Sequence, residues 1–396
     1  MRLTTALACA LACLLAVGCS SAPQAQSEAS TLWTWYDQTE QAVDASGAPD
    51  PVAARTWALA WWAADRATAG RVDSVYVDAA VAHAVHDVLV AVVPDRAEQL
   101  DAALEPVEGD AAAAGAAAGR EEAAAVLAER SDDGLDRTSA ERPLELPFPT
   151  VGDWRPSPPR QLAARQVGVA SATPFLLESP EQFRPGPPPG PGTEVYRRDL
   201  AEVRELGSDD SAARTAEQEE VGLFWAGSEL AIQVDLVREA MQAAEVSTVE
   251  GVRLLSAFHR ITADAEIAVF DAKYTYLSWR PIIAIRVDQD NDPRTPRDRD
   301  WTPLITTPPH PEYPSAHTVY AAAGAAVLEA FLGPEPASPL TITGTGGDVS
   351  RTYTTWEQAV EENEDARVWT GIHLRTSDEV GSALGRQVAA YALARL

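Results

Sequence analysis

Six side chains in the last third of the 396-residue chain have types and spacings that could do chemistry together: Lys273, Arg280, Ser315, His317, Arg367 and His373. Lys273 is the only lysine; every other one of the 31 basic residues is arginine. Lys273 and Arg280 stand seven apart, which in a helix is two turns, so both would leave one face about 10 Å apart along the axis. Pro281 would keep that helix from running on past the arginine. Ser315 follows Pro314 and opens an apolar run, so it reads as an N-cap with Ala316 and His317 in the first turn. His373 precedes Thr376 and Glu379, a spacing that predicts a capping box and a second helix start. Helix starts present unpaired N–H groups and the positive end of the helix dipole, both favourable to an anion. Two such starts, two arginines and a lysine can hold a tetrahedral oxyanion of the phosphate or vanadate kind, with an imidazole on each side of it.

The elements that must position these residues are helices. Apolar residues recur at three and four spacing over Thr56–Ala69 and Val75–Val93, and Pro94 closes the second run. Ala102–Arg130 reads as further helices around a break at Gly109-Asp110. Helical periodicity resumes near Glu194, with strong candidates at Ala216–Ala243, Thr248–Trp279, Ser315–Leu332 and Thr376–Leu396. No sustained period-two run stands out, so the chain reads as all-α. Between the helical halves, Pro143–Pro191 is proline-rich yet holds Trp154, Phe175, Leu176, Leu177 and Phe183. A free linker has no need of such anchors, so residues 143–192 are expected to form an extended strap over the helices. The expected organisation is one helical domain over 32–396, with the site motifs within 250–396.

Composition narrows the partners. The formal charge of −28 repels nucleic acid and anionic lipid head groups, so no nucleic-acid binding is expected. The three cysteines are Cys9, Cys13 and Cys19, which leaves the body without a disulfide framework or thiol nucleophile. Arg2 and the apolar run Leu3–Val17 suit an export signal and are too short for a spanning helix. Leu15-Ala16-Val17-Gly18-Cys19 has the form of a bacterial lipobox, with Cys19 as the lipidated new N-terminus. An ordinary cleaved signal ending near Ala22 or Ala25 is the alternative. On the first reading, 1–19 is the signal, 20–31 a flexible tether, and the protein an exported lipoprotein facing the periplasm or exterior, meeting the membrane through the anchor only.

Taken in order, Lys-x6-Arg-Pro, Pro-Ser-x-His and Arg-x5-His resemble the superfamily that unites type 2 phosphatidic acid phosphatases with vanadium-dependent haloperoxidases, closest to its exported bacterial haloperoxidase-like branch. Trp154-Arg155-Pro156, Thr173-Pro174-Phe175, Glu178–Pro185 and Thr302–Ser315 extend the likeness to nearly all of Thr31–Leu396. The resemblance implies the helical-bundle fold of that superfamily and a cage in which Lys273, Arg280, Arg367, Ser315 and the Ala316 N–H bind the equatorial oxygens. His373 would be the apical group, bonded to vanadium in a haloperoxidase or attacking phosphorus in a phosphatase, and His317 the acid–base. Vanadate would be the cofactor of the first, with hydrogen peroxide and halide as substrates; the second needs no cofactor and takes phosphomonoesters. A lipoprotein that keeps the cage without turnover is a third possibility. The oligomeric state is left open. Ala316 stands where the family has glycine, and Ala366 where a serine often precedes the arginine. Four residues after His373, where the fuller pattern has an orienting aspartate, stands Ser377; the adjacent Asp378 would point about 100° away in a helix. A re-aimed Asp378, Ser377 or a carbonyl would then have to hold the ring.

Other candidates read more simply. His83 and His86, three apart among Ala and Val, are expected to be packing histidines. Glu266 stands seven before Lys273 and is expected to pair with it. His310 is expected to be structural. Asp288–Asp292 begins like a calcium loop, but Pro293 and Arg299 break that pattern, leaving a solvated acidic loop.

Overall fold

In the computed structural model, the described residues are 23–146, 148–287, 292–344 and 349–396. The expected signal, Cys19, the first residues of the tether and Asp288–Asn291 lie outside them. Fourteen α-helices occur among the described residues: α1 Pro23–Ser46, α2 Asp50–Thr68, α3 Ser74–Val92, α4 Ala97–Ala103, α5 Gly109–Glu129, α6 Arg137–Ala140, α7 Glu194–Leu206, α8 Ala216–Phe224, α9 Glu229–Ala243, α10 Thr248–Tyr276, α11 Pro281–Val287, α12 Ala316–Leu332, α13 Trp356–Trp369 and α14 Arg375–Leu393. The all-α expectation holds, with one small addition. An antiparallel hairpin, β1 Leu340–Thr343 and β2 Ser350–Tyr353, pairs Leu340 with Tyr353 and Thr343 with Ser350. Four-residue strands are too short to show a sustained alternation in sequence.

Helix α10 is the axis of the molecule. Ser247 and Glu250 close its start in a capping box, and nearly every residue from Thr248 to Lys273 is buried. It packs against α2, α12 and α14, with Trp57 and Trp61 of α2 and its own Phe258 and Phe270 fully buried. Alanines and glycines bring its neighbours close. A Cβ on Gly385 of α14 would stand 2.2 Å from the Val319 carbonyl oxygen, and one on Gly381 2.2 Å from the Thr318 hydroxyl. The starts of α12 and α14, which carry His317 and follow His373, are therefore in main-chain contact.

The proline-rich segment packs on α10 as expected of a strap. The buried Asp264 carboxylate accepts the N–H groups of Phe175, Leu176 and Leu177 at 2.6, 2.7 and 2.9 Å. Arg184 forks onto Asp271 at 2.6 and 2.7 Å. Trp154 is buried, and its N–H donates to the Leu277 carbonyl at 2.5 Å. Tyr313 donates to the Gly186 carbonyl at 2.8 Å. Asp264→Ala removes one acceptor from three N–H groups and is expected to lower stability by about 3 kcal/mol, since each buried donor left unmade costs roughly 1–3 kcal/mol. Urea denaturation measures it; a loss of only a few tenths would mean the strap is held elsewhere.

Candidate functional site

The three motif segments converge beneath the strap. Lys273 occupies the last turn of α10, but Arg280 does not share its helix. The helix stops at Tyr276, Leu277 takes a left-handed conformation at φ 49°, and Ser278 pairs with Asp153 in an isolated bridge. Pro281 then opens α11 instead of ending α10, because a proline at the first helical position lacks only an N–H that has no helical partner anyway. The shared-face geometry expected for Lys273 and Arg280 is thus replaced by a turn, and the turn brings both inward: each is 0% exposed.

Arg280 organises the centre. Its Nε donates to the His310 carbonyl at 2.9 Å, and Nη1 to the Ile372 carbonyl at 2.8 Å and to His373 Nε2 at 3.0 Å. Nη2 lies 3.1 Å from His310 Nδ1, so His310 supports the arginine. Lys273 Nζ donates to the carbonyls of Pro311 and Glu312 at 2.9 and 3.0 Å. Its expected ion pair with Glu266 is absent. The lysine is spoken for by the Pro311-Glu312 turn, and the charges felt by Glu266 are those of Asp50 and Glu229. Ser315 is the N-cap of α12, but its hydroxyl makes no capping bond and has the Asp378 carboxyl beside it. Arg367, in the last turn of α13, donates through Nη1 to the Trp225 carbonyl.

His373 differs from expectation in what orients it. Its Nδ1 lies 3.0 Å from Glu312 Oε1, the same oxygen that accepts the Leu374 N–H at 2.9 Å. Neither Ser377 nor a backbone carbonyl holds the ring. Asp378 is buried, but faces Ser315 and Arg367. Partner chemistry sets the tautomer: a carboxylate at Nδ1 and a guanidinium at Nε2 place the proton on Nδ1 and the lone pair on Nε2, towards the cage. The predicted capping box at Thr376 also fails. The N-cap is Leu374, without a side-chain cap, and the open N–H groups are met from outside the helix by Glu312 and by the buried Asp199, which accepts from Thr376 at 3.1 Å.

Burial sets the electrostatics. It pushes Lys273 well below the ordinary lysine value, with repulsion from Arg280 adding to the effect, and lowers Arg280 and Arg367 to about 10 each. Burial, then the nearby cations, hold His317 and His373 well below the ordinary imidazole range, so both rings are neutral at pH 7. Glu312 and Asp378 are both raised, first by burial. Buried cations without a full set of counter-charges carry desolvation penalties of several kcal/mol each, which a bound anion offsets. His317 Nε2 and Arg367 Nε are buried and unpartnered among the described residues. These donors and acceptors fit a tetrahedral oxyanion. Ala316, His317 and His310 are partly exposed while the cations are not, so the site opens on the His317 side.

Sequence reasoning missed Glu312, although a lone carboxylate in Pro311-Glu312-Tyr313-Pro314, three before Ser315, was a usable signal. Glu312→Ala is expected to lower activity 10- to 100-fold, roughly the range for loss of a group that orients a ligating histidine. Glu312→Gln, which can still accept from Nδ1, is expected to recover part of it in the same assay. Equal rates in wild type and both variants would remove the role. Elsewhere, His86 lies between Asp87 and Asp101 at 2.7 and 2.9 Å and His83 faces Arg120 at 3.2 Å. Asp292 is bound by Arg197 and Arg294 at 2.6 and 3.0 Å, so this end of the expected solvated loop is tied down.

The helical scaffold thus buries three cations around a carboxylate-held imidazole. Residues 253–396 match the family model of the VCPO second helical-bundle domain. The chain superposes on a bacterial vanadium-dependent iodoperoxidase with a TM-score of 0.78 at 22% identity, over 92% of this chain and 96% of that one. It superposes on a bacterial vanadium-dependent chloroperoxidase, in holo and apo forms, with a TM-score of 0.67 at 18% identity, over 86% of this chain and 90% and 92% of those. No curated protein matches it in sequence. The last third of the chain thus matches that helical-bundle family model, and the chain as a whole shares the fold of the vanadium haloperoxidases.

Proposed function

We propose that this protein is a vanadium-dependent haloperoxidase-like enzyme that binds vanadate among Lys273, Arg280, Ser315, Ala316, Arg367 and His373 and oxidises halide with hydrogen peroxide. The observation that carries the proposal is the buried triple-cation cage in which Glu312 holds His373 Nδ1–H and leaves Nε2 facing inward. The fold shared with proteins described as vanadium-dependent iodo- and chloroperoxidases supports the choice of vanadate. When bound, vanadate supplies the centre at which peroxide is activated for attack by halide. The residues of the chain do the rest. Arg280, Arg367 and Lys273 hold charge on the oxygens, the α12 N–H groups add donors, and neutral His317 at the open side accepts and returns a proton. A lone pair on His373 Nε2 equally suits attack on phosphorus, so phosphomonoester hydrolysis through a phosphohistidine is the second reading. The lipobox-like Leu15–Cys19 supports placement outside the cytoplasmic membrane on a lipid anchor.

Bromination of a dye that requires added vanadate is the expected result; hydrolysis of an aryl phosphate inhibited by vanadate would select the second reading. Independently of turnover, vanadate at about 100 times its dissociation constant is expected to stabilise the fold by about 2.7 kcal/mol. Thermal denaturation reads this as an upward shift in midpoint. No shift with vanadate or phosphate would remove the oxyanion site itself.

A further inference from the structure

Behind the cage, the face of α10 that carries Lys273 continues inward through Glu266 and His259, each seven residues on and about 10 Å further along the axis. The surroundings are polar and closed. Glu229 of α9 is 4% exposed, Glu266 6%, Gln233 1%, and His259 and Asn363 0%. Asn363 of α13 donates to Glu229 Oε2 at 3.1 Å and lies 3.4 Å from the His317 carbonyl oxygen. Gln233 donates to Glu229 Oε1 at 3.0 Å. Glu229 also faces the Arg367 charge. At the outer end, the half-buried Asp50 of α2 accepts from Ser228 at 3.1 Å. Asp50, Ser228 and Trp57 line an open cleft with Asp44, Glu40 and Asp235. Trp57 stacks on His259 with centroids 4.7 Å apart.

Carboxylates alone would not make a site, but this region holds more. Glu266 Oε2, Gln233 Oε1, Asn363 Oδ1 and both nitrogens of His259 are buried and lack hydrogen-bond partners among the described residues. Buried polar atoms at this density are met by hydrogen-bonded water or by protons held between acids. We propose that Asp50, Glu229 and Glu266 form an internal proton path that supplies the oxyanion cage from the cleft at Asp50 and Trp57. Halide oxidation consumes one proton for each hypohalous acid and water formed from halide and peroxide. The path therefore deepens the haloperoxidase reading and rests on it. Glu229 gives its carboxyl proton towards the Arg367 and His317 side and becomes a carboxylate stabilised by Arg367. It is reprotonated from Glu266 and Asp50, and Asp50 from solvent.

The groups facing this path are Asp50 on α2, Glu229 on α9, His259, Glu266 and Lys273 on α10, His317 and Tyr320 on α12, and Arg367 on α13. Burial pushes the Glu229 carboxyl up to about 8 and Glu266 well above the carboxylate range, and holds His259 down to about 3. Burial thus favours the protonated carboxyl in both glutamates, whereas it keeps His259 neutral.

The test uses the full chain as Glu229→Gln, Glu266→Gln and, at the exposed end, Asp50→Asn. Infrared spectroscopy of wild type at pH 7 should show carbonyl bands of neutral carboxylic acids that shift in D2O, with one lost in each glutamine variant. Absence of these bands overturns the path whatever the activity. In the vanadate-dependent assay at pH 7–8, Glu229→Gln should lower kcat roughly tenfold, at the lower edge of acid–base effects. KM for halide and vanadate-induced stabilisation should stay within about twofold, and small acidic buffers should restore the rate. Unchanged kcat in all three variants, or kcat falling in step with vanadate binding, overturns the supply role. Bands without turnover in wild type would fail the proposed function and the supply role together, a pattern distinct from turnover without bands.

Discussion

His373→Ala is expected to lower kcat/KM at least about 10³-fold in whichever reaction the wild type performs, since removing the group that acts directly on the reacting centre costs orders of magnitude. The side chain is 2% exposed and is met on one nitrogen by Glu312 and on the other by Arg280. No other imidazole can replace it: His310 is engaged with Arg280, and His317 stands at the open side in the first turn of α12. Folding is a fair concern for a buried substitution, so thermal denaturation should accompany the assay. A variant that melts normally yet keeps wild-type turnover would take His373 out of the mechanism. Vanadate-induced stabilisation should shrink without vanishing, because Arg280, Arg367 and Lys273 remain.

Arg280→Ala should lose 10²–10³-fold in rate, about the range for deleting one donor to a developing oxyanion. It should also lose most vanadate-induced stabilisation. The guanidinium spans two segments, with carbonyl partners at His310 and Ile372 and nitrogen partners at His310 and His373. Arg280→Lys is the sharper probe, for it keeps charge but not the planar fork that meets several partners at once. If the lysine variant matched wild type in both rate and stabilisation, charge alone would suffice and the positioning role of Arg280 would fall.

Much of this architecture could be read from the residues. Helical periodicity with proline and glycine stops marked the long elements, because a 3.6-residue pattern is locally encoded. The strap was legible from anchors such as Trp154 and Phe175 inside a proline-rich stretch. Ser315 as an N-cap followed from its local context. What failed depended on long-range contacts. The break after Tyr276 rests on Leu277 adopting a left-handed backbone and on pairing with Asp153 more than a hundred residues earlier. The carboxylate for His373 comes from 61 residues upstream, and the start of α14 is met by Asp199, 177 residues away. Glu266 was assigned to Lys273 by helical spacing alone, but the lysine had nearer carbonyls. Spacing says which residues share a face, not which neighbour that face will meet.

The glycine seam between α12 and α14 bears on size selection. Gly381 and Gly385 let two backbones touch where a Cβ would stand 2.2 Å from Thr318 Oγ1 or the Val319 oxygen. The gap between the start of α12, which carries His317, and the start of α14, which follows His373, is therefore gauged by main chain, which yields far less than side chains do. A stiff aperture of this kind should admit monomeric tetrahedral ions and turn away condensed ones, so diphosphate and oligomeric vanadates should compete weakly or not at all.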